Sequence, residues 1–407
     1  MKAARSSPDL VIEFDGHIAA KRVLTEYDDI SDEVKLSCLS ILTDICSGSR
    51  SRRSIVGKSS KLCLNGCMTF LSYQGDDDQG DTEACSDNNL GTSSTGESHL
   101  SSSLQLAVFN LLNEMVLVRD CRDLILNSPS IINSTLKLTS ISSDEAFEFA
   151  TLVFLTRVAP FLCKSDALIT TEHFVSVLAK GNNIFGINER NKRKQAVPGT
   201  TTISQNLILS IVVDGLEILM GSIESIDEVV GILLEMCLKR IETFSSSASY
   251  LNFSIIKDCG DFFRGCTSFF LLLLGNELSK DLATIPQIFK MLLRIVMLKP
   301  QDVPVEGNRK MWSSARVQSL QCLVNMTRSR FDDERDYSFW QQLVSEFEGE
   351  IKSSKATSKK NMFLRDQNST SKSCAVLDSL DDIIHDNSSD NLACTNASKL
   401  VHYFCSE

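Results

Sequence analysis

Proline and glycine are scarce in this chain, with 7 and 19 residues respectively among 407. Proline breaks helix interiors and both residues punctuate turns, so their scarcity leaves long stretches free to form helices. Hairpin turns such as Asn-Gly do not recur at the regular spacing that a β-sheet protein needs. These absences argue against a β fold and favour an all-α chain.

Residue patterns that carry catalysis are also missing. Histidine, the most frequent general base, occurs only five times, and none of the five accompanies a candidate nucleophile in a recognised pattern. The glycine-rich motifs that cradle phosphates or dinucleotides are absent as well. We therefore predict that the protein is not an enzyme and needs no cofactor.

The 14 cysteines are scattered rather than grouped in metal-binding pairs. Cys63 and Cys67 share a face of a predicted helix, but no second pair follows them, which favours a role in the core over zinc binding. Cys394, His402 and Cys405 lie close together in the C-terminal segment without the tight spacing of metal ligands. The sequence therefore predicts no metal site.

Charge and hydropathy narrow the range of partners. The net charge of −11 argues against direct nucleic-acid binding over most of the chain, because neutralising phosphates requires clustered Lys and Arg. The most apolar stretches are shorter than the roughly 20 residues that cross a bilayer, or are broken by carboxylates, so we predict no membrane span. The N-terminus lacks an apolar signal region, and we expect the protein in the nucleus or the cytosol.

An internal repeat is the strongest positive signal. Residues 34–59 align without a gap on residues 104–129, and the shared positions follow helical spacing. The matched pairs are Leu36 with Leu106, Leu39 with Phe109, Ile41 with Leu111, Leu42 with Leu112, Ile45 with Met115, Arg52 with Arg122, and Ile55 with Ile125. Weaker copies occur at residues 147–155 and 317–326.

A repeated helical unit of this size cannot bury its apolar stripe alone, so its neighbours must stack on it. We predict an armadillo/HEAT-like helical solenoid over residues 10–352, in which helices at 16–27, 32–46 and 52–72 form the first three-helix unit and a single helix spans 121–138. The alternative is an irregular all-helical domain.

Two insertions and a tail interrupt this pattern. Residues 74–103 contain seven carboxylates without a Lys or Arg, and residues 188–202 form a second polar linker. Both segments, and most of the tail at 353–407, are predicted to be disordered because they carry too little apolar surface. Within the tail, Val376, Leu377, Leu380, Ile383 and Ile384 predict a short amphipathic helix.

Arginines and a basic run are the candidate binding residues. Arg52, Arg53 and Arg122 open the second helix of their units, where they either bond neighbouring carbonyls and carboxylates or contact a protein partner. Lys192, Arg193 and Lys194 form a short basic run that suits nuclear import or a phosphate contact, or that simply lies in an exposed linker.

The order of these segments resembles the wings apart-like cohesin release factors. The resemblance covers about a third of the chain, mainly residues 15–138, and rests on VKLSCLSILTDIC at 34–46, RRSIV at 52–56, LQLAVFNLL at 104–112 and ILNSPSIIN at 125–133. Residues 317–327 resemble a later helix of that family. The Phe-Gly-Phe repeats of the animal members are missing here.

This resemblance implies a nuclear protein that binds cohesin subunits and promotes the release of cohesin from chromatin without catalysis. A general cytosolic armadillo-type scaffold or chaperone-like adaptor is the alternative function.

Overall fold

The structure is a computed structural model that describes residues 2–26, 30–58, 61–72, 95–128, 131–141, 144–184, 205–246, 253–275, 285–297, 306–329, 337–359, 374–385 and 391–405. Every regular element in these ranges is helical, which confirms the predicted all-α class. The α-helices are α1 (Lys2–Ser6), α2 (Pro8–Glu13), α3 (Gly16–Glu26), α4 (Asp32–Cys46), α5 (Arg50–Gly57), α6 (Lys61–Ser72), α7 (Thr95–Met115), α8 (Arg119–Leu126), α9 (Ile131–Ile141), α10 (Glu145–Val158), α11 (Lys164–Ile184), α12 (Gln205–Ile218), α13 (Ile226–Ser246), α14 (Phe253–Gly275), α15 (Ile285–Met297), α16 (Glu306–Ser329), α17 (Tyr337–Lys359), α18 (Ala375–His385) and α19 (Asn391–Cys405).

The chain divides into two compact units, whereas the sequence predicts one repeat domain and a tail. Unit 1 contains Met1–Phe174 with Pro198–Ile203 and Ile218–Ser222. Unit 2 contains Val175–Val197, Ser204–Glu217 and Ile223–Glu407. The boundary falls inside α11.

In unit 1, several helices pack on one another in succession. Helix α3 packs on α4, α4 on α7 and α7 on α10, while α6 contacts α3 and α9. Phe109 of α7 lies at the centre of this core, with ring centroids 5.4 Å from Phe147 and 5.7 Å from Phe154 of α10 in edge-to-face geometry. These contacts are the arrangement that aromatic rings favour in a core.

The first helices of the predicted repeat have matching buried faces. Leu39, Leu42 and Ile45 of α4 are buried, and so are Phe109, Leu112 and Met115 of α7 at the same offset of 70 residues. A short helix and then a longer one follow each of them, namely α5 and α6 after α4, and α8 and α9 after α7. The same order of elements therefore occurs twice.

The predicted single helices at 52–72 and 121–138 are wrong, because each is two helices. Helix α5 ends at Gly57, followed by Lys58 in an extended conformation, and α8 ends just before Asn127. Pro129 explains the second break, since the residue before a proline disfavours helical geometry. At the first break, the buried Lys21 ammonium donates a hydrogen bond to the carbonyl of Lys58 at 2.9 Å and so satisfies an oxygen just after the end of α5.

The residues of α5 and α8 that correspond to each other also differ from the predicted pairs. Ile55 is 39% exposed although its predicted equivalent Ile125 is buried, so this pair is wrong. Val56 is the buried residue in the last turn of α5 and takes the place that Ile125 has in α8. Val56 lies 11 residues after Ile45, whereas Ile125 lies 10 residues after Met115, and a gapless alignment does not capture this difference of one residue.

The predicted insertions are only partly described by the structure. Helix α7 begins at Thr95, so the disordered segment predicted for 74–103 extends nine residues too far. Once the apolar stripe nucleates a helix, each further polar residue adds to it at little cost. The remainder of that segment, and the linker at 188–202, lie outside the described residues.

In unit 2, α14 and α15 pack on α16, and the last two helices complete the core. The disorder predicted for most of 353–407 is wrong for α19, whereas α18 lies where a short helix was predicted within that tail. Helix α18 buries Val376, Leu380 and Ile383, as the amphipathic pattern predicts. Helix α19 buries a narrow stripe of Ala393, Ala397, Leu400 and Phe404 between Asn, Ser and Lys residues, and the polar composition conceals that stripe.

Candidate functional site

Two short helices of unit 1, α5 and α8, carry the predicted binding arginines. The Ser49 hydroxyl caps α5 by accepting a hydrogen bond from the Arg52 amide, and the first turn holds no carboxylate. The Sγ of Cys121 in α8 lies 3.7 Å from the carbonyl oxygen of Gly57, so the end of α5 adjoins the start of α8. We call the arginine edge the set formed by Arg50, Arg52, Ile55, Leu117, Arg119, Arg122 and Phe161.

Arg53 does not belong to this edge, because it bridges helices. Its guanidinium contacts the Glu114 carboxylate of α7 at 2.8 Å, and both side chains are 17% exposed. Arg157 of α10 lies 3.9 Å from the other oxygen of Glu114 and donates to the carbonyl of Asn113. Burial lowers the pKa of Arg157, and Glu114 partly restores it. One carboxylate thus joins α5, α7 and α10, and the geometry favours a structural role for Arg53.

Removing the charge of this carboxylate tests the bridge. We expect Glu114→Gln to lower the free energy of unfolding by about 1–3 kcal/mol, because two half-buried guanidiniums lose their counter-charge. Chemical denaturation measures the change. Asp123→Asn is the matched control, since Asp123 is half-exposed and lies 3.9 Å from its arginines, and a shift within about 0.5 kcal/mol is expected there. Equal shifts for the two variants would contradict the bridge.

Arg52 and Arg122 are exposed to similar degrees at matching positions of the predicted repeat. Their side chains are 19% and 18% exposed, and in the described part of the chain neither Nε has a hydrogen-bond acceptor. Arg52 donates to the Ser47 carbonyl at 3.3 Å, and its nearest carboxylate, Asp9, is 3.9 Å away. The Arg122 guanidinium lies 3.6 Å above the centre of the Phe161 ring, which is cation–π geometry.

No protein-family model, curated protein or solved structure matches this chain. Among the helices that the structure describes, none is both long enough and apolar enough to cross a membrane. The site must therefore be interpreted from its own geometry.

The other predicted site residues lie apart from the edge or outside the described ranges. Lys192, Arg193 and Lys194 fall in the part of the chain that the structure does not describe. Cys394 lies on α19 and donates to the carbonyl of Ile383 at 3.5 Å. Within the described ranges, no group of three or more His, Cys, Asp or Glu side chains is placed to hold a metal ion.

A buried lysine among thiols is a feature that sequence reasoning missed. Lys21 of α3 is buried, and burial lowers its pKa while the nearby Cys63, Cys121 and Cys46 act in the opposite direction. Cys63 and Cys67 are hydrogen-bonded to each other along α6. Burial raises the pKa of Cys46 to about 12, so this thiol stays protonated and unreactive. Such a cluster packs as core, and only the contacts between helices reveal it.

Unit 2 buries a charged side chain of its own. Arg240 of α13 has no exposed surface, donates from Nε to the Asn206 Oδ1 at 2.8 Å and from another guanidinium nitrogen to the Met236 carbonyl at 3.0 Å. Its guanidinium lies 4.2 Å from the centre of the Phe262 ring. These contacts hold α12, α13 and α14 together, and we interpret Arg240 as a structural residue.

Asp214 of α12 provides a test of the electrostatics of unit 2. Burial raises the pKa of its carboxyl, and the cation of Arg264 only partly offsets this effect. A raised native-state pKa stabilises the fold below the ordinary Asp pKa of about 3.8, and this contribution is lost as the pH rises through the native value. We therefore expect Asp214→Asn to raise the free energy of unfolding at neutral pH, with the gain disappearing in acid.

Denaturation of the wild type and of Asp214→Asn across the pH range measures this difference. The exposed Asp227 of α13 offers the same chemical change as a control, and no gain is expected there. A gain for Asp214→Asn that does not depend on pH would contradict the electrostatic explanation.

Proposed function

We propose that the chain is a non-catalytic helical-repeat protein, of the armadillo/HEAT-like solenoid type, that binds other proteins. The supporting observation is the packing in unit 1, where α4, α7 and α10 contact one another in succession and bury equivalent residues. Stacked units of this kind extend a surface without closing it into a pocket. Proteins built in this way act by binding, and their loops and short helices carry the contacts.

Within this class, we propose a wings apart-like regulator that binds cohesin subunits in the nucleus and promotes their release from chromatin. The support is the resemblance of residues 15–138, whose segments correspond to helices α3 to α9. Such a protein needs no chemistry, because it changes the balance between the open and closed ring by binding one state more tightly. A cytosolic armadillo-type scaffold or chaperone-like adaptor is the second candidate, supported by the same packing.

Depletion of the protein separates these two candidates. If it releases cohesin, its loss should lengthen the residence of cohesin on chromatin, because fewer rings open in a given time. Fluorescence recovery of a tagged cohesin subunit after photobleaching measures residence, and re-expression of the wild-type chain should restore it. Unchanged recovery, together with the absence of cohesin from material purified natively with the chain, would overturn the cohesin proposal and leave the scaffold candidate.

A further inference from the structure

The arginine edge holds four arginines on a protein that is negative overall, and three carboxylates, Asp9, Asp120 and Asp123, lie near them. Arg50 and Arg119 are exposed at the starts of α5 and α8, whereas Arg52 and Arg122 are only 19% and 18% exposed. Arginine near a helix N-terminus is unfavourable for the helix itself, since the helix dipole is positive there. Local helix stability therefore does not explain why these arginines are there.

The guanidiniums of Arg52, Arg119 and Arg122 lie farther from their paired carboxylates than a hydrogen bond allows. Arg52 lies 3.9 Å from Asp9, and Arg119 and Arg122 each lie 3.9 Å from a carboxylate oxygen of Asp123. N–H···O hydrogen bonds are about 2.7–3.2 Å long, so these three distances are too long for a hydrogen bond. The internal carboxylates therefore do not accept hydrogen bonds from the fork of N–H donors that each of these arginines offers. An external carboxylate in bidentate contact would form shorter and stronger bonds.

Exposed apolar side chains lie among these arginines. Ile55, Leu117 and Phe161 are 39%, 46% and 48% exposed. Ile55 is three residues after Arg52 and shares its helix face, and Phe161 is directly beneath the Arg122 guanidinium. A surface that offers both apolar and cationic contacts fits a ligand that carries both apolar side chains and carboxylates.

We propose that the arginine edge binds an acidic peptide segment of a partner protein, with carboxylates on Arg50, Arg52, Arg119 and Arg122, and with aromatic or aliphatic side chains on Leu117 and Phe161. This inference rests on the proposed protein-binding function and specifies the chemistry of the partner. A nucleic acid fits less well, because its row of phosphates makes no use of the exposed apolar side chains of Ile55, Leu117 and Phe161.

A selection of peptides tests this chemistry without a known partner. Phage displaying random twelve-residue peptides are selected on the full chain and counter-selected on the double variant Arg50→Glu/Arg119→Glu, whose substitutions are exposed. We expect the surviving peptides to be enriched in Asp and Glu together with Phe, Leu or Trp. No enrichment, or enrichment without acidic residues, would overturn the proposal.

Affinities of the most enriched peptide then locate the site. Fluorescence anisotropy should show a Kd at least about tenfold higher for Arg50→Glu/Arg119→Glu than for the wild type. The matched control is Arg22→Glu/Lys137→Glu, which changes the net charge equally at exposed positions of α3 and α9 and should leave the Kd within about twofold. Equal losses for both double variants would indicate a general charge effect and overturn the assignment to this edge.

The apolar contribution and the competing ligand are tested in the same assay. Leu117→Ser should weaken peptide binding severalfold, whereas Leu392→Ser, at a similarly exposed position of unit 2, should not. A twelve-residue oligothymidine that competes as well as the peptide would favour nucleic acid and overturn the proposal. If proteins co-purify equally with the wild type and with Arg50→Glu/Arg119→Glu, this inference fails while the protein-binding function stands. If no protein co-purifies with either, the proposed function itself fails.

Discussion

Replacing Leu112 with alanine is expected to lower the free energy of unfolding by about 2–5 kcal/mol. The Leu112 side chain is fully buried in α7, and the cavity left by its truncation adds to the lost burial of the removed methyl groups. Chemical denaturation measures the effect. Leu117→Ala is the matched control five residues further on, where 46% exposure of the side chain should limit the loss to below about 1 kcal/mol.

The same substitution in α4 tests the repeat. Leu42 is 1% exposed, and the loss for Leu42→Ala should lie in the same range, because the predicted repeat places Leu42 at the position of Leu112. A large loss at one of the two leucines and none at the other would break the proposed equivalence of α4 and α7.

An aspartate at Leu400 should unfold much of unit 2. Leu400 has no exposed surface on α19, which packs on α16, α17 and α18, so Leu400→Asp would force an unpaired carboxylate into the core. A loss of about 4 kcal/mol or more is expected, among the largest that single substitutions cause. Hydrogen exchange followed by mass spectrometry should show loss of protection in α15 to α19.

Leu392→Asp is the control for this experiment on the same helix. Leu392 is 49% exposed, and a charge at that position stays in contact with water, so a change within about 0.5 kcal/mol is expected. If both variants behave alike, α19 does not belong to the core of unit 2.

Helical periodicity worked best where an apolar stripe is continuous. The predicted bounds of 32–46 match α4, and the helix predicted at 16–27 matches α3 to within one residue. It failed at the ends of α5 and α8, where turns interrupt a pattern that continues on both sides. It also failed at α19, whose stripe of Ala393, Ala397 and Leu400 is narrow and set among polar residues.

The candidate site was predictable only in part. Three arginines stand out in the sequence, but no local pattern distinguishes Arg53, which binds Glu114, from Arg52, which has no carboxylate within hydrogen-bond distance. That difference depends on a residue 61 positions away in α7. Phe161 likewise joins the edge only because α8 and the turn after α10 are neighbours in space.

Chemical modification of the buried thiols can show when each compact unit opens. Cys38, Cys46, Cys63, Cys67 and Cys121 report on unit 1, whereas Cys237, Cys266 and Cys322 report on unit 2. A brief pulse of an alkylating reagent marks only the thiols that have become accessible, while the exposed Cys163 and Cys405 react at once and calibrate the pulse. Mass spectrometry of the marked peptides would then show which unit opens first, without any engineered residue.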